Sequence, residues 1–123
     1  MADRNYYAFI VNQERRGLRL LFDAAAEVAS ETSPSSAVAA RLTELSLYRC
    51  YLDIPAPFEV KARVLVKIFH SDEYFEAKAT VVYVKPTLRM GLAFRDVRPN
   101  FREILQKWIL VAMNNQKQSY ENT

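Results

Sequence analysis

Glycine is nearly missing from this chain: Gly17 and Gly91 are the only two among 123 residues, against an average usage of roughly 7%. So little glycine leaves no glycine-rich loop of the kind that cradles phosphates through backbone amides. Cysteine occurs once, at Cys50, which excludes an intramolecular disulfide and any paired-cysteine zinc site. A lone cysteine behaves mostly as a small hydrophobe, so Cys50 is expected in the core. Histidine also occurs once, at His70. With neither a second histidine nor a nucleophile motif there is no triad to assemble and no metal-ligand spacing. His70 is expected as an exposed residue of a hairpin turn, and the chain is expected to be a non-enzyme without metal or cofactor. Long hydrophobic runs are lacking too. The apolar stretch from Tyr6 to Val11 is too short for a signal peptide or a membrane span, and Met1-Ala2-Asp3-Arg4-Asn5 has no cationic lead-in. No targeting segment and no membrane insertion are expected, and a reducing cytoplasm is the expected location.

What is present fits one soluble domain. The length suffices to bury a core without staples, and half the residues are hydrophobic and a quarter charged. Lys and Arg number 17 against 14 Asp and Glu, a net charge of +3. That balance admits an anionic ligand, but the positive charge is not massed in a stripe, and no DNA binding is expected.

Period-two alternation dominates the middle of the chain. Ala62, Val64, Val66 and Ile68 alternate with Arg63, Leu65, Lys67 and Phe69, and Phe75, Ala77, Ala79, Val81 and Tyr83 with Glu76, Lys78, Thr80, Val82 and Val84. Both runs read as half-buried strands. His70-Ser71-Asp72-Glu73 joins them as a turn, and Lys85-Pro86-Thr87-Leu88 leads into a last strand from Met90 to Phe94. After Pro99, Asn100 and Glu103 have the spacing of a capping box. The set Phe101, Ile104, Leu105, Trp108, Ile109 and Ala112 then forms one apolar stripe at helical spacing, which places Trp108 in the core. Leu18 to Ala29 and Ala37 to Tyr48 are ambiguous. Their Ala, Leu and Glu content favours helix by local propensity, whereas Val38, Ala40 and Leu42 also alternate with period two.

Arginine carries the functional signal. Arg15-Arg16-Gly17-Leu18-Arg19 places two guanidinium groups four residues apart, and Glu44-Leu45-Ser46-Leu47-Tyr48-Arg49 follows about one hairpin later. A guanidinium is a planar, permanently charged fork that grips phosphate oxygens in pairs and can lie flat on a base. This arrangement resembles the PilZ domain family, whose signature is R-x-x-x-R before the first barrel strand and a later [D/N]-x-S-x-x-G turn. The first segment matches; in the second, Glu44 stands for Asp or Asn, Ser46 is kept and Arg49 replaces glycine. The resemblance runs from about Gln13 to Ile109 and includes Met90-Gly91-Leu92-Ala93-Phe94 and the closing helix. Lys61 and Arg89 are further positions where sequences of this kind often carry glycine.

The resemblance implies a mainly β fold, a six-stranded antiparallel β-barrel with a C-terminal α-helix, which resolves the two ambiguous segments as strands joined by the loop Glu31 to Ser36. The expected division is an N-terminal extension at 1–13, the barrel with its helix at 14–113 and a flexible tail at 114–123. It also implies cyclic di-GMP as the ligand, with Arg15, Arg16, Arg19, Glu44, Ser46 and Arg49 as its contacts, and a bacterial receptor or adaptor whose changed surface is read by a protein partner. The alternative is a PilZ-like interaction or homo-oligomerisation module that has lost nucleotide binding and uses the Tyr6 to Val11 strip.

Overall fold

The computed structural model describes residues 19–85 and 88–121. The N-terminal extension with its Tyr6 to Val11 strip lies outside the described residues, as do Arg15, Arg16, Pro86 and Thr87. Six strands close into an antiparallel barrel in the order β1-β2-β3-β6-β5-β4, with β4 returning to pair with β1. They are β1 (Leu20–Ser30), β2 (Val38–Leu45), β3 (Arg49–Asp53), β4 (Arg63–His70), β5 (Glu73–Lys85) and β6 (Arg89–Asp96). One helix follows, α1 (Pro99–Glu121). No described helix is long and apolar enough to cross a membrane.

The two ambiguous segments are strands, and burial shows why. Leu20, Phe22, Ala24, Ala26 and Val28 of β1 point inward in strict alternation, and β1 is hydrogen-bonded on both flanks, to β2 and to β4. A helix would spread these side chains over several faces; as a strand they all reach one core. Tertiary burial therefore overrides the local helical preference. Alanines at 24, 26, 77 and 79 leave room inside the barrel for Leu42, Leu52, Val64, Val66, Ile68, Leu92 and Met90. Cys50 is fully buried on the inner face of β3, as expected, and burial pushes its thiol pKa up, so the group stays protonated and inert.

Register shifts punctuate the ladder and re-aim side chains. One falls between Val81 and Tyr83. Val81 is buried, but Tyr83, expected inward by simple alternation, is 45% exposed because the extra residue turns it outward. A second shift lies between Leu42 and Glu44, and a third between Leu21 and Ala24. Both flank the segment carrying the arginine and acidic motifs.

The helix starts two residues earlier than the capping-box spacing implies. The Arg98 carbonyl accepts the Arg102 amide, so Pro99 is the first helical residue and Asn100 falls inside the first turn. Proline suits that position because its missing N–H would have had no intrahelical partner. At the other end the helical backbone runs past Asn114 to Glu121, through the stretch read from the sequence as a tail. Neither proline nor glycine occurs after Pro99 to stop it. The helix seals one mouth of the barrel with an aromatic layer. Trp108 stacks on Phe22 at 5.6 Å and lies 6.4 Å from Phe75, with Leu105, Ile109 and Ala112 buried beside it.

His70 belongs to that layer and not to the turn tip. It ends β4, half-buried, 4.7 Å from Phe22 and edge-on to Trp108 at 5.6 Å. The turn itself is Ser71-Asp72, with Ser71 at φ 54°, the backbone form that matches a tight hairpin to strand twist. The expectation of an exposed His70 fails because His70 still pairs with Glu73 across the ladder.

Candidate functional site

Antiparallel pairing brings the two halves of the sequence motif to one place. Leu20 opposes Leu45 and Leu21 opposes Glu44, so the entry to β1, where the R-x-x-x-R segment ends at Arg19, lies beside the exit of β2. The chain then turns through Ser46 to Arg49 and starts β3, where Cys50 opposes Leu45 and Tyr51 opposes Glu44. Residues 23 and 25 positions apart in sequence thus become neighbours.

Ser46 builds this turn. It is the one buried polar residue among the described residues, 2% exposed. Its hydroxyl accepts the Arg49 amide at 3.0 Å and lies 3.2 Å from the Arg49 carbonyl, which also accepts the Ser46 amide at 2.9 Å. A serine hydroxyl that both accepts and donates locally replaces the backbone partners a tight turn would otherwise leave unpaired. Arg49, held at both backbone groups, extends an exposed side chain from the outer face of β3. Its φ is not positive; among described non-glycine residues, positive φ occurs at Lys61 (78°), Ser71 (54°) and Leu88 (78°). Of the three positions where glycine is common in similar sequences, only Lys61 therefore needs glycine-like backbone freedom. At Arg89 the unusual conformation belongs to its neighbour, Leu88.

Glu44 points outward and is engaged. Its Oε1 accepts from Arg89 Nη1 at 3.3 Å, and the Arg89 Nε lies 3.6 Å from Asp53 Oδ1. The Glu44–Arg89 contact ties β2 to β6 across β3. Arg89 thereby offsets two acidic groups on this face. A separate pair, Arg41 with Asp23, lies further along β1 and β2.

Arg19 rests on an aromatic support that the sequence reading missed. Its guanidinium carbon stands 4.6 Å from the centre of the Tyr51 ring. Tyr51 is itself 8% exposed, and beneath it lies Gly91, where an added Cβ would come within 2.9 Å of the Tyr51 Cε1. Tyr51, Gly91 and Tyr83 are cross-strand partners in one row. The available signal was Gly91 itself, since a glycine inside a strand marks a close approach by something else.

Of the six expected contacts, the structure assembles Arg19, Glu44, Ser46 and Arg49 around the β2–β3 turn; Arg15 and Arg16 lie outside the described residues. No cluster of three or more His, Cys, Asp or Glu is placed to hold a metal ion among the described residues.

Comparison with known proteins agrees with this architecture. The PilZ domain family model matches residues 12–110. No curated protein sequence matches the chain. Among solved structures, the PilZ domain of YcgR from Escherichia coli, determined with cyclic di-GMP, superposes with a TM-score of 0.66 at 15% identity, covering 86% of this chain and 96% of that one. The PilZ domain of CeSA from a cellulose-synthesising bacterium gives 0.59 at 15% identity, over 80% and 98% of the two chains. The Bacillus subtilis inhibitor of motility MotI/DgrA gives 0.65 at 13% identity, covering 80% of this chain. The present chain spans half the length of that inhibitor.

Proposed function

The chain belongs to the PilZ domain family, and we propose that it is a cyclic di-GMP receptor or adaptor rather than an enzyme. The observation that carries this reading is the convergence of Arg19 with the Glu44 to Arg49 turn at one edge of the barrel. One solved relative of the same fold, YcgR, was determined with that nucleotide. Arg15, Arg16 and Arg19 supply guanidinium forks for the two phosphates and for guanine O6 and N7. Glu44 is the acceptor facing guanine N–H donors, Ser46 shapes the turn that presents it, and Arg49 adds a cation where the family pattern has glycine. Binding orders the arginine segment over the barrel face, and a protein partner in a bacterial cytoplasm reads the changed surface.

Calorimetric titration with cyclic di-GMP tests this directly. Arg15→Ala and Arg19→Ala should each weaken binding by about 1.5–3 kcal/mol, the range for a hydrogen bond to a charged group, and affinity should fall as salt rises. A second reading draws on the engagement of Glu44 by Arg89 and of Ser46 by Arg49 within the protein. On that reading the site is closed and the domain is an interaction or oligomerisation module. Absence of binding at near-millimolar nucleotide, together with a self-associating chain in sedimentation, would select it.

A further inference from the structure

We propose that Tyr51, seated on Gly91, is a positioning residue that holds Arg19 ready for an anionic, purine-bearing ligand; the proposal rests on the receptor reading above. Neither residue belongs to the arginine or acidic motif. The geometry is layered. Gly91 is buried in β6 and has no side chain, so the Tyr51 ring settles into the notch. Anything larger at 91 would meet the Tyr51 ring at 2.9 Å and the Tyr83 Cβ at 3.2 Å. The same ring carries the Arg19 guanidinium, its carbon 4.6 Å from the ring centre.

A guanidinium stacked on an aromatic face is attracted by the ring quadrupole, and its in-plane N–H donors remain free. Stacking therefore fixes the plane of Arg19 without consuming the hydrogen bonds a phosphate or guanine edge would take. An arginine side chain loses considerable rotamer freedom on being immobilised, and a support that immobilises it beforehand removes part of that cost from binding. Arg19 is also the residue at which the R-x-x-x-R segment enters β1. Glu44, cross-strand from Tyr51, lies on the same outward row. The platform thus sets the cation and the acceptor side by side.

The test has two readouts on the full chain. In the free protein, NMR should show the Arg19 Nε–H displaced by the Tyr51 ring current; the displacement should persist in Tyr51→Phe and vanish in Tyr51→Leu and Gly91→Val. In titrations with cyclic di-GMP, Tyr51→Leu should weaken binding about five- to tenfold, as expected for a lost cation–π contact and lost pre-organisation. Tyr51→Phe should restore most of it. In an Arg19→Ala background Tyr51→Leu should add almost nothing, which a merely structural role for Tyr51 would not produce. Equal losses in both backgrounds, or a wild-type chain that binds nucleotide without the ring-current displacement, would overturn the platform while leaving the receptor reading intact. A displacement present in a chain that binds no cyclic di-GMP would overturn the receptor reading and the positioning role with it.

Discussion

The aromatic layer under the helix, drawn from β1, β4, β5 and α1, and the charged row outside β2, β3 and β6 belong to one barrel and are held by different forces. The layer joins Phe22, His70, Phe75 and Trp108 through ring contacts of 4.7 to 6.4 Å in water-poor surroundings. Its energy comes from apolar area removed from water. The row joins Glu44, Asp53 and Arg89 through contacts of 3.3 to 3.6 Å between side chains that remain partly in solvent. Partly exposed pairs of this kind contribute little to stability because solvent screens them. One region makes the fold, and the other adds little to it.

Substitution should separate the two. Trp108→Ala should lower unfolding stability by about 3–5 kcal/mol, the usual cost of truncating a buried aromatic, whereas Arg89→Ala should lower it by no more than about 1 kcal/mol. Urea denaturation of both variants measures the contrast. Comparable losses would mean that the charged row is structural after all.

Backbone strain sharpens the comparison at a smaller scale. The Glu59 carbonyl accepts the Ala62 amide at 3.0 Å with Lys61 at φ 78° between them, the form of a type II turn whose third residue favours glycine. Lys61→Gly should therefore stabilise the protein by about 1 kcal/mol. Arg49→Gly restores a family glycine at a position whose φ is not positive, so it should instead destabilise by about 0.5–1 kcal/mol through added chain entropy. Thermal unfolding with matched variants distinguishes them, and a stabilising Arg49→Gly would contradict the turn geometry.

The smallest effect is pH-dependent and lies at the junction of helix and barrel. Glu73 accepts from Lys107 Nζ at 2.9 Å and from Trp108 Nε1 at 3.3 Å. The Lys107 hydrogen bond above all, aided by Trp108 and by the charges of Lys107 and His70, holds the Glu73 carboxyl below its usual pKa against the opposing pull of burial. A folded-state pKa below the unfolded value means stability that is present above about pH 4.3, the ordinary glutamate value, and is lost as pH falls through the folded value. Glu73→Gln should remove that acid-range component, so the wild-type advantage over the variant should shrink steadily below the ordinary pKa. An advantage that is flat across the acid range would show that the pairing does not couple to folding.

Much of this was legible in the residues. Strict alternation in β4 and the first part of β5, the helical stripe ending at Ala112, the burial of Cys50 and the paired motif segments all follow from periodicity or family pattern, because each depends on neighbours a few positions away. The position of Tyr83 was not legible, since an inserted residue at a bulge inverts the faces without leaving a local mark. His70 looked like a turn residue because nothing near it in sequence announces Phe22 or Trp108.

By itself the sequence determined which residues seek the core and which arginines could meet an anion, since side-chain chemistry and short-range spacing decide both. Only the closed barrel decided that Arg19 would lie on Tyr51, that Tyr51 would fit over Gly91, and that Glu44 would reach Arg89, 45 positions further along the chain. Those contacts are made by strand order and register, which are set by the collective burial of the interior and not by any residue in the row itself.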